Sequence, residues 1–210
     1  MTGQLLVAVP LGVAFAIGLD RWRGRGSGAS NFTMLFSFVT PEIIMGVSLF
    51  LVFTKLLIFV HLGTTAQLLG LITFEMAYPV IIVRARLLSI GKEYEEAAMD
   101  LGASPTKALR IVLLPLLLPA IFASFALVFA DSIDDFIIVR YLSNGQGTET
   151  IPIRIYSADR ASPTPALNAL ASLLLFSTII AVTVGLVVYR SMTKGERGTG
   201  GVLGDFAAQI

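Results

Sequence analysis

Hydropathy along this chain runs in blocks of membrane length. Leu5 to Leu19 is apolar and uncharged, with Pro10 inside it. Phe32 to Leu57 is apolar apart from Pro41, Glu42 and Lys55. Thr65 to Leu88 holds Glu75 and Pro79 and closes on Arg84 and Arg86. Val112 to Val139 and Ala166 to Tyr189 complete the set. A transmembrane helix needs about 20 consecutive apolar residues, so the pattern predicts five spans. The first is short, but it lacks the basic start and small-residue cleavage site of a signal peptide, so it is read as a true span. Between the blocks lie polar loops at Asp20 to Ser30 and Arg140 to Pro165. The transmembrane domain is therefore placed at 1–195, followed by a glycine-rich tail at 196–210 that is expected to be disordered.

Between the third and fourth blocks runs Glu93 to Pro115, EYEEAAMDLGASPTKALRIVLLP. Gly102 breaks it, Ser104 is a good helix N-cap, and Pro105 suits a first helical position. The expectation is two short helices joined by a tight turn at the membrane face. A plain connector between spans could be shorter and less patterned, so this stretch reads as a surface to be gripped from outside the bilayer.

Composition narrows the function. Of 210 residues, 55% are hydrophobic and only 14% charged, against about 25% charged in soluble domains. With a net charge of +1, nothing points to a nucleic-acid partner. There is no cysteine and a single histidine, His61, so no metal site is expected, and His61 is read as a solvated residue at a span end. No GxxxxGK[ST] loop and no nucleophile–base set is present, so the chain is not expected to be an enzyme or to hydrolyse ATP itself. Lys and Arg in the loops set the orientation. Arg21, Arg23, Arg25, Arg84, Arg86, Lys92, Lys107, Arg110, Arg190, Lys194 and Arg197 fall on one side, and Lys55, Arg140, Arg154 and Arg160 on the other. The first side is predicted to be cytoplasmic, together with Glu93 to Pro115 and the C-terminus.

Glu96-Ala97-Ala98, Gly102 and Val112-Leu113-Leu114-Pro115 carry the spacing of the EAA loop of ATP-binding-cassette (ABC) importer permeases, with Val112 where Ile is usual. Ser132-Ile133-Asp134-Asp135-Phe136, Ile151 to Ser157, Ser162-Pro163, Asn168 to Ala171, and Pro41 followed by the acid Glu42 resemble the C-type permease subunit of spermidine/putrescine importers. The similarity covers roughly residues 4–195. It implies an all-α integral membrane protein with the type I ABC importer permease fold and a cytoplasmic coupling loop at 91–115. Within that loop it implies that Glu93, Glu96, Ala97, Ala98, Asp100, Leu101, Gly102 and Pro105 contact an ATPase. The implied partners are two ATP-binding subunits carrying ATP and Mg, a second homologous permease subunit, an extracytoplasmic polyamine-binding protein and the bilayer of the inner membrane. No cofactor is expected on this chain. The family has six spans, so the expected five suggest that the first helix is missing. Other readings stay open at this point: a permease for ferric iron or thiamine, a truncated non-transporting remnant, or a secondary transporter or channel working without ATPase partners. The last leaves the EAA-like stretch unexplained.

Acids inside spans are costly and commonly face water or a partner. Glu42 and Glu75 sit at similar depth, roughly 13–15 Å in at 1.5 Å per residue. Asp131, Asp134 and Asp135 are spaced to share one helical face, where like charges repel. Tyr78 lies one turn from Glu75. Spaced carboxylates with an aromatic face suit a flexible polycation, so Glu42, Glu75, Tyr78, Asp131, Asp134 and Asp135 are the candidate pathway residues. The alternatives are a wet helix end for the Asp cluster, a hydrogen bond to a neighbouring helix for Glu42 and a structural role for Glu75. Tyr156 is read as an interfacial aromatic.

Overall fold

A computed structural model describes residues 2–21, 39–145, 147–161 and 164–193. Arg23, Arg25, the start of the second predicted span, Ser162-Pro163, and the tail with Lys194 and Arg197 lie outside them. Among the described residues the secondary structure is helical, without strands. The elements are α1 (Thr2–Arg21), α2 (Glu42–Leu51), α3 (Thr64–Glu75), α4 (Ala77–Ile90), α5 (Glu93–Asp100), α6 (Pro105–Ala108), α7 (Leu114–Asp134), α8 (Ile137–Leu142), α9 (Ile151–Ala161) and α10 (Pro165–Thr193). A π-helical turn extends α2 over Val52–Leu56, and another joins α6 to α7 over Leu109–Leu113. Among the described residues, four helical stretches are long and apolar enough to cross a membrane: Gly3–Arg21, Thr64–Ile90, Pro105–Asp134 and Pro165–Ser191.

The polar breaks divide the molecule into two apolar cores. In the first, Leu5, Val9 and Val13 of α1 pack with Val80, Val83 and Leu87 of α4 and Leu117, Ala120 and Val128 of α7. The second joins Phe53 from the turn after α2, Ala66 and Leu71 of α3, Ile138, Val139 and Leu142 of α8, and Ile153 of α9. The third predicted span thus contributes its first half to one core and its second half to the other. The physical cause is Pro79. It has no N–H to offer and its ring clashes with the carbonyl four residues earlier, at Glu75, so the helix breaks at Met76. Gly12 lets α1 close against this break, since a Cβ there would lie 2.5 Å from Pro79 Cγ.

Three sequence expectations are corrected. The fourth span, expected over Val112 to Val139, starts at Pro105 and stops at Asp134; Asp135 has ψ 119 and turns the chain into α8. The expected polar loop Arg140 to Pro165 contains the eleven-residue helix α9. The second span, where it is described, is not continuous, because the chain is non-helical at Thr40-Pro41 and Glu42 opens α2. The last span is α10, nearly as expected. It is mostly exposed and meets α7 closely where Gly185 faces Ala126, a small-residue contact of the kind that lets membrane helices approach.

Candidate functional site

The stretch from Glu93 folds as its residues dictate. α5 ends at Gly102, whose φ of +87° lies in the left-handed region that favours glycine. Gly102 N–H bonds to Met99 O at 2.8 Å and Ala103 N–H to Ala98 O at 3.0 Å, the paired closure of a Schellman turn. Ser104 then caps α6, its Oγ accepting from Lys107 N–H at 3.4 Å, with Pro105 in the first position. Nothing in α5 is buried. Glu93, Glu96, Ala97, Asp100, Gly102 and Pro105 are exposed, Ala98 is half-buried, and Leu101 is 90% exposed. A leucine held out in this way on a short acidic helix is unfinished packing. The helix is tied to the rest of the protein by an ion pair from Arg21, the last residue of α1, to Glu95.

The acids meet elsewhere, at the seam between the two cores. Glu42 opens α2, where the helix N-terminus favours a carboxylate. Its side chain lies within electrostatic reach of Asp135, which in turn caps α8 by accepting from Val139 N–H at 3.1 Å. Tyr78 lies within electrostatic reach of Asp131, and its ring stands edge-on to Phe74 at 6.2 Å. Glu75, fully buried at the α3–α4 break, lies within electrostatic reach of Asp131 and Asp135. The structure thus brings together five of the six candidate pathway residues. Asp134 stands at the margin, within electrostatic reach of Asp131 but exposed. The helix ends there, and its exposed carboxylate accepts from Thr178 of α10 at 3.1 Å. The expectation that Asp131, Asp134 and Asp135 share one face fails because Asp135 is already past the end of the helix.

Two members of the cluster, Gln4 and Ser132, are not among the candidate pathway residues. Gln4, fully buried near the start of α1, donates its amide to Glu75 Oε1 and Oε2 at 3.3 and 3.4 Å and to Ser132 Oγ. A lone amide at the start of an apolar block was the available signal for Gln4. Among the described residues no basic side chain is ion-paired to the cluster. His61 is exposed, as expected. Tyr156 packs on Phe136 with ring centroids 5.0 Å apart and carries the Arg160 guanidinium 4.8 Å above its ring, so it is a packing residue of α9 as well as an outer aromatic.

This geometry agrees with comparison to known proteins. Residues 8–198 match the family described as binding-protein-dependent transport system inner membrane component. The chain belongs to that family. It is 35% identical over 195 residues to the putrescine transport system permease protein PotI of Escherichia coli K12, covering 90% of this chain and 68% of that protein. It is 34% identical over 191 residues to the spermidine/putrescine transport system permease protein PotC of the same strain, covering 91% of this chain and 71% of that one. Among solved structures, a chain of the MetNI methionine ABC transporter in an inward-facing conformation aligns with a TM-score of 0.68 at 18% identity, covering 91% of this chain and 92% of that one. The fold is that of a type I ABC importer permease, and the protein is a multi-pass inner-membrane permease subunit rather than an enzyme.

Proposed function

We propose that this permease passes polyamines, spermidine or putrescine, into the cytoplasm, and that the cluster of Glu42, Glu75, Tyr78, Asp131 and Asp135 is the part of its pathway that holds the cation. The observation that supports this is the convergence of four carboxyl groups and a phenol at one seam, with no basic side chain among the described residues ion-paired to the carboxyl groups. Carboxylates packed this closely repel unless a cation or a proton lies between them, and a chain carrying several ammonium groups supplies cations at matching intervals. Asp134 flanks the cluster towards α10. The polyamine relatives favour the same substrate class.

In this reading two ATPase subunits bind ATP and Mg in the cytoplasm, a second permease subunit completes the pathway, and a binding protein delivers substrate from outside. The chain itself binds no cofactor. Glu93, Glu96, Ala97, Ala98, Asp100, Leu101, Gly102 and Pro105 form the surface that docks on an ATPase, with α5 and the C-terminus on the cytoplasmic side. Closure of the ATPases moves α5 as a rigid body, and the Arg21–Glu95 pair carries that movement into α1.

Uptake of radiolabelled spermidine by cells lacking their own polyamine importer, supplied with this chain and its partner subunits, tests the substrate class. The expected result is accumulation that unlabelled putrescine or spermidine suppresses and that ferric iron or thiamine does not. Accumulation of labelled iron or thiamine, without spermidine, would move the permease to another solute.

A further inference from the structure

A second polar site adjoins the acid cluster. Among the described residues, two buried side-chain atoms have no hydrogen-bond partner in the protein, Gln4 Oε1 and Thr150 Oγ1. Both residues line the same cavity of about 150 Å³, bounded by the start of α1, by α3, and by the loop that leads from α8 into α9. An orphaned buried polar atom costs free energy, and two on one cavity mark it as built for an occupant.

The donor set says what kind. Glu149 adds a carboxylate, and no Lys or Arg lines the cavity. An amide oxygen, a hydroxyl and a carboxylate all accept hydrogen bonds, so the occupant is a donor and is best cationic. Leu68, Leu71 and Val139 form the remaining wall, which suits a short alkyl chain behind the charged head. One carboxylate among neutral oxygens and aliphatic side chains is a poor site for a divalent metal. The loop that carries the site is pinned from below, since Gln67 Nε2 donates to Val139 O at 3.1 Å and Thr148 O at 2.9 Å. Gln4 belongs to both places. Its amide nitrogen is engaged with Glu75 and Ser132, while its oxygen is free.

We infer that this cavity is a subsite for a primary alkylammonium group, which receives one end of the substrate beside the acid cluster, with Gln4 as the residue common to both. The inference deepens the polyamine reading and rests on it for the identity of the natural ligand, but not for the binding of an amine.

The test uses the full chain in lipid nanodiscs with the subunits it assembles with, and n-butylammonium chloride as the probe. Tetramethylammonium chloride, which has no N–H to donate, serves as the control at equal ionic strength. The melting temperature should rise saturably with n-butylammonium and not with tetramethylammonium. In Thr150→Val and in Glu149→Gln the midpoint should move to about tenfold higher amine concentration, the usual consequence of losing one charge-assisted hydrogen bond. An equal response to both cations, or none to either, would leave the cavity to water and overturn the inference. A midpoint left where the parent has it in both Thr150→Val and Glu149→Gln would also overturn it, by placing the amine outside this cavity. A normal amine response in a permease that imports no polyamine would retain the subsite and defeat the substrate reading instead.

Discussion

Replacing Gly102 by Asp is expected to reduce uptake to background while the chain still reaches the membrane and folds. The position has φ +87°, so any side chain is strained there, at a cost of roughly 1–2 kcal/mol. Asp is among the residues that tolerate this region best. The space around Gly102 is open, since a Cβ would meet nothing within 4 Å. Within this chain alone, therefore, Asp should be no worse than Ala. Against an ATPase surface the order reverses, because Asp adds bulk and a charge beside the exposed Leu101. Gly102→Ala measures the strain, and the excess loss in Gly102→Asp measures the partner contact. Co-purification of the ATPase subunits with each variant, alongside uptake, reads the two separately. Equal and mild defects in both variants would mean that this turn has no docking role.

The second large effect is expected at the seam. Glu42→Gln with Asp135→Asn removes two charges and keeps the local hydrogen bonding. Asn retains an oxygen to accept from Val139 N–H, now 3.1 Å from Asp135 Oδ1, and two amides can donate to and accept from each other where two carboxylates repel. The fold should survive, and mutual repulsion should fall. If the cluster holds a cationic substrate, polyamine uptake should drop by about tenfold or more, since each ~1.4 kcal/mol lost at the barrier is a factor of ten in rate. ATP hydrolysis and assembly should stay near the parent. Unchanged uptake would reduce these acids to structural groups, and Tyr78 and Asp131 would then be the remaining contacts to examine.

Much of this arrangement was legible in the sequence, and the failures have a common cause. The turn at Gly102 and the cap at Ser104 depend on local chemistry, and both appear where local chemistry puts them. The apolar blocks at 5–19, 65–88 and 166–189 correspond to α1, α3–α4 and α10. Pro79 announced a disturbance, although the break falls at Met76, one turn earlier, because proline acts on the carbonyl four residues before it. The stop at Asp134 was not legible. A helical period carried through Asp135 places three acids on one face, and only tertiary packing of α8 against α2 and α3 shows that the chain turns first. Gln4 was missed for a related reason. A single amide in an apolar segment acquires meaning only when Glu75 and Ser132, far away in sequence, are seen beside it.

ATP-dependent polyamine movement through the assembled transporter is the most direct test of coupling through α5. Proteoliposomes carrying this chain with its partner subunits would be supplied with loaded binding protein on one face and ATP on the face bearing α5. The expected result is spermidine accumulation that requires ATP, is absent with ADP, and is lost in the Gly102→Asp variant. Accumulation that proceeds equally without ATP, or that persists in Gly102→Asp, would contradict an ATP-driven permease coupled through α5.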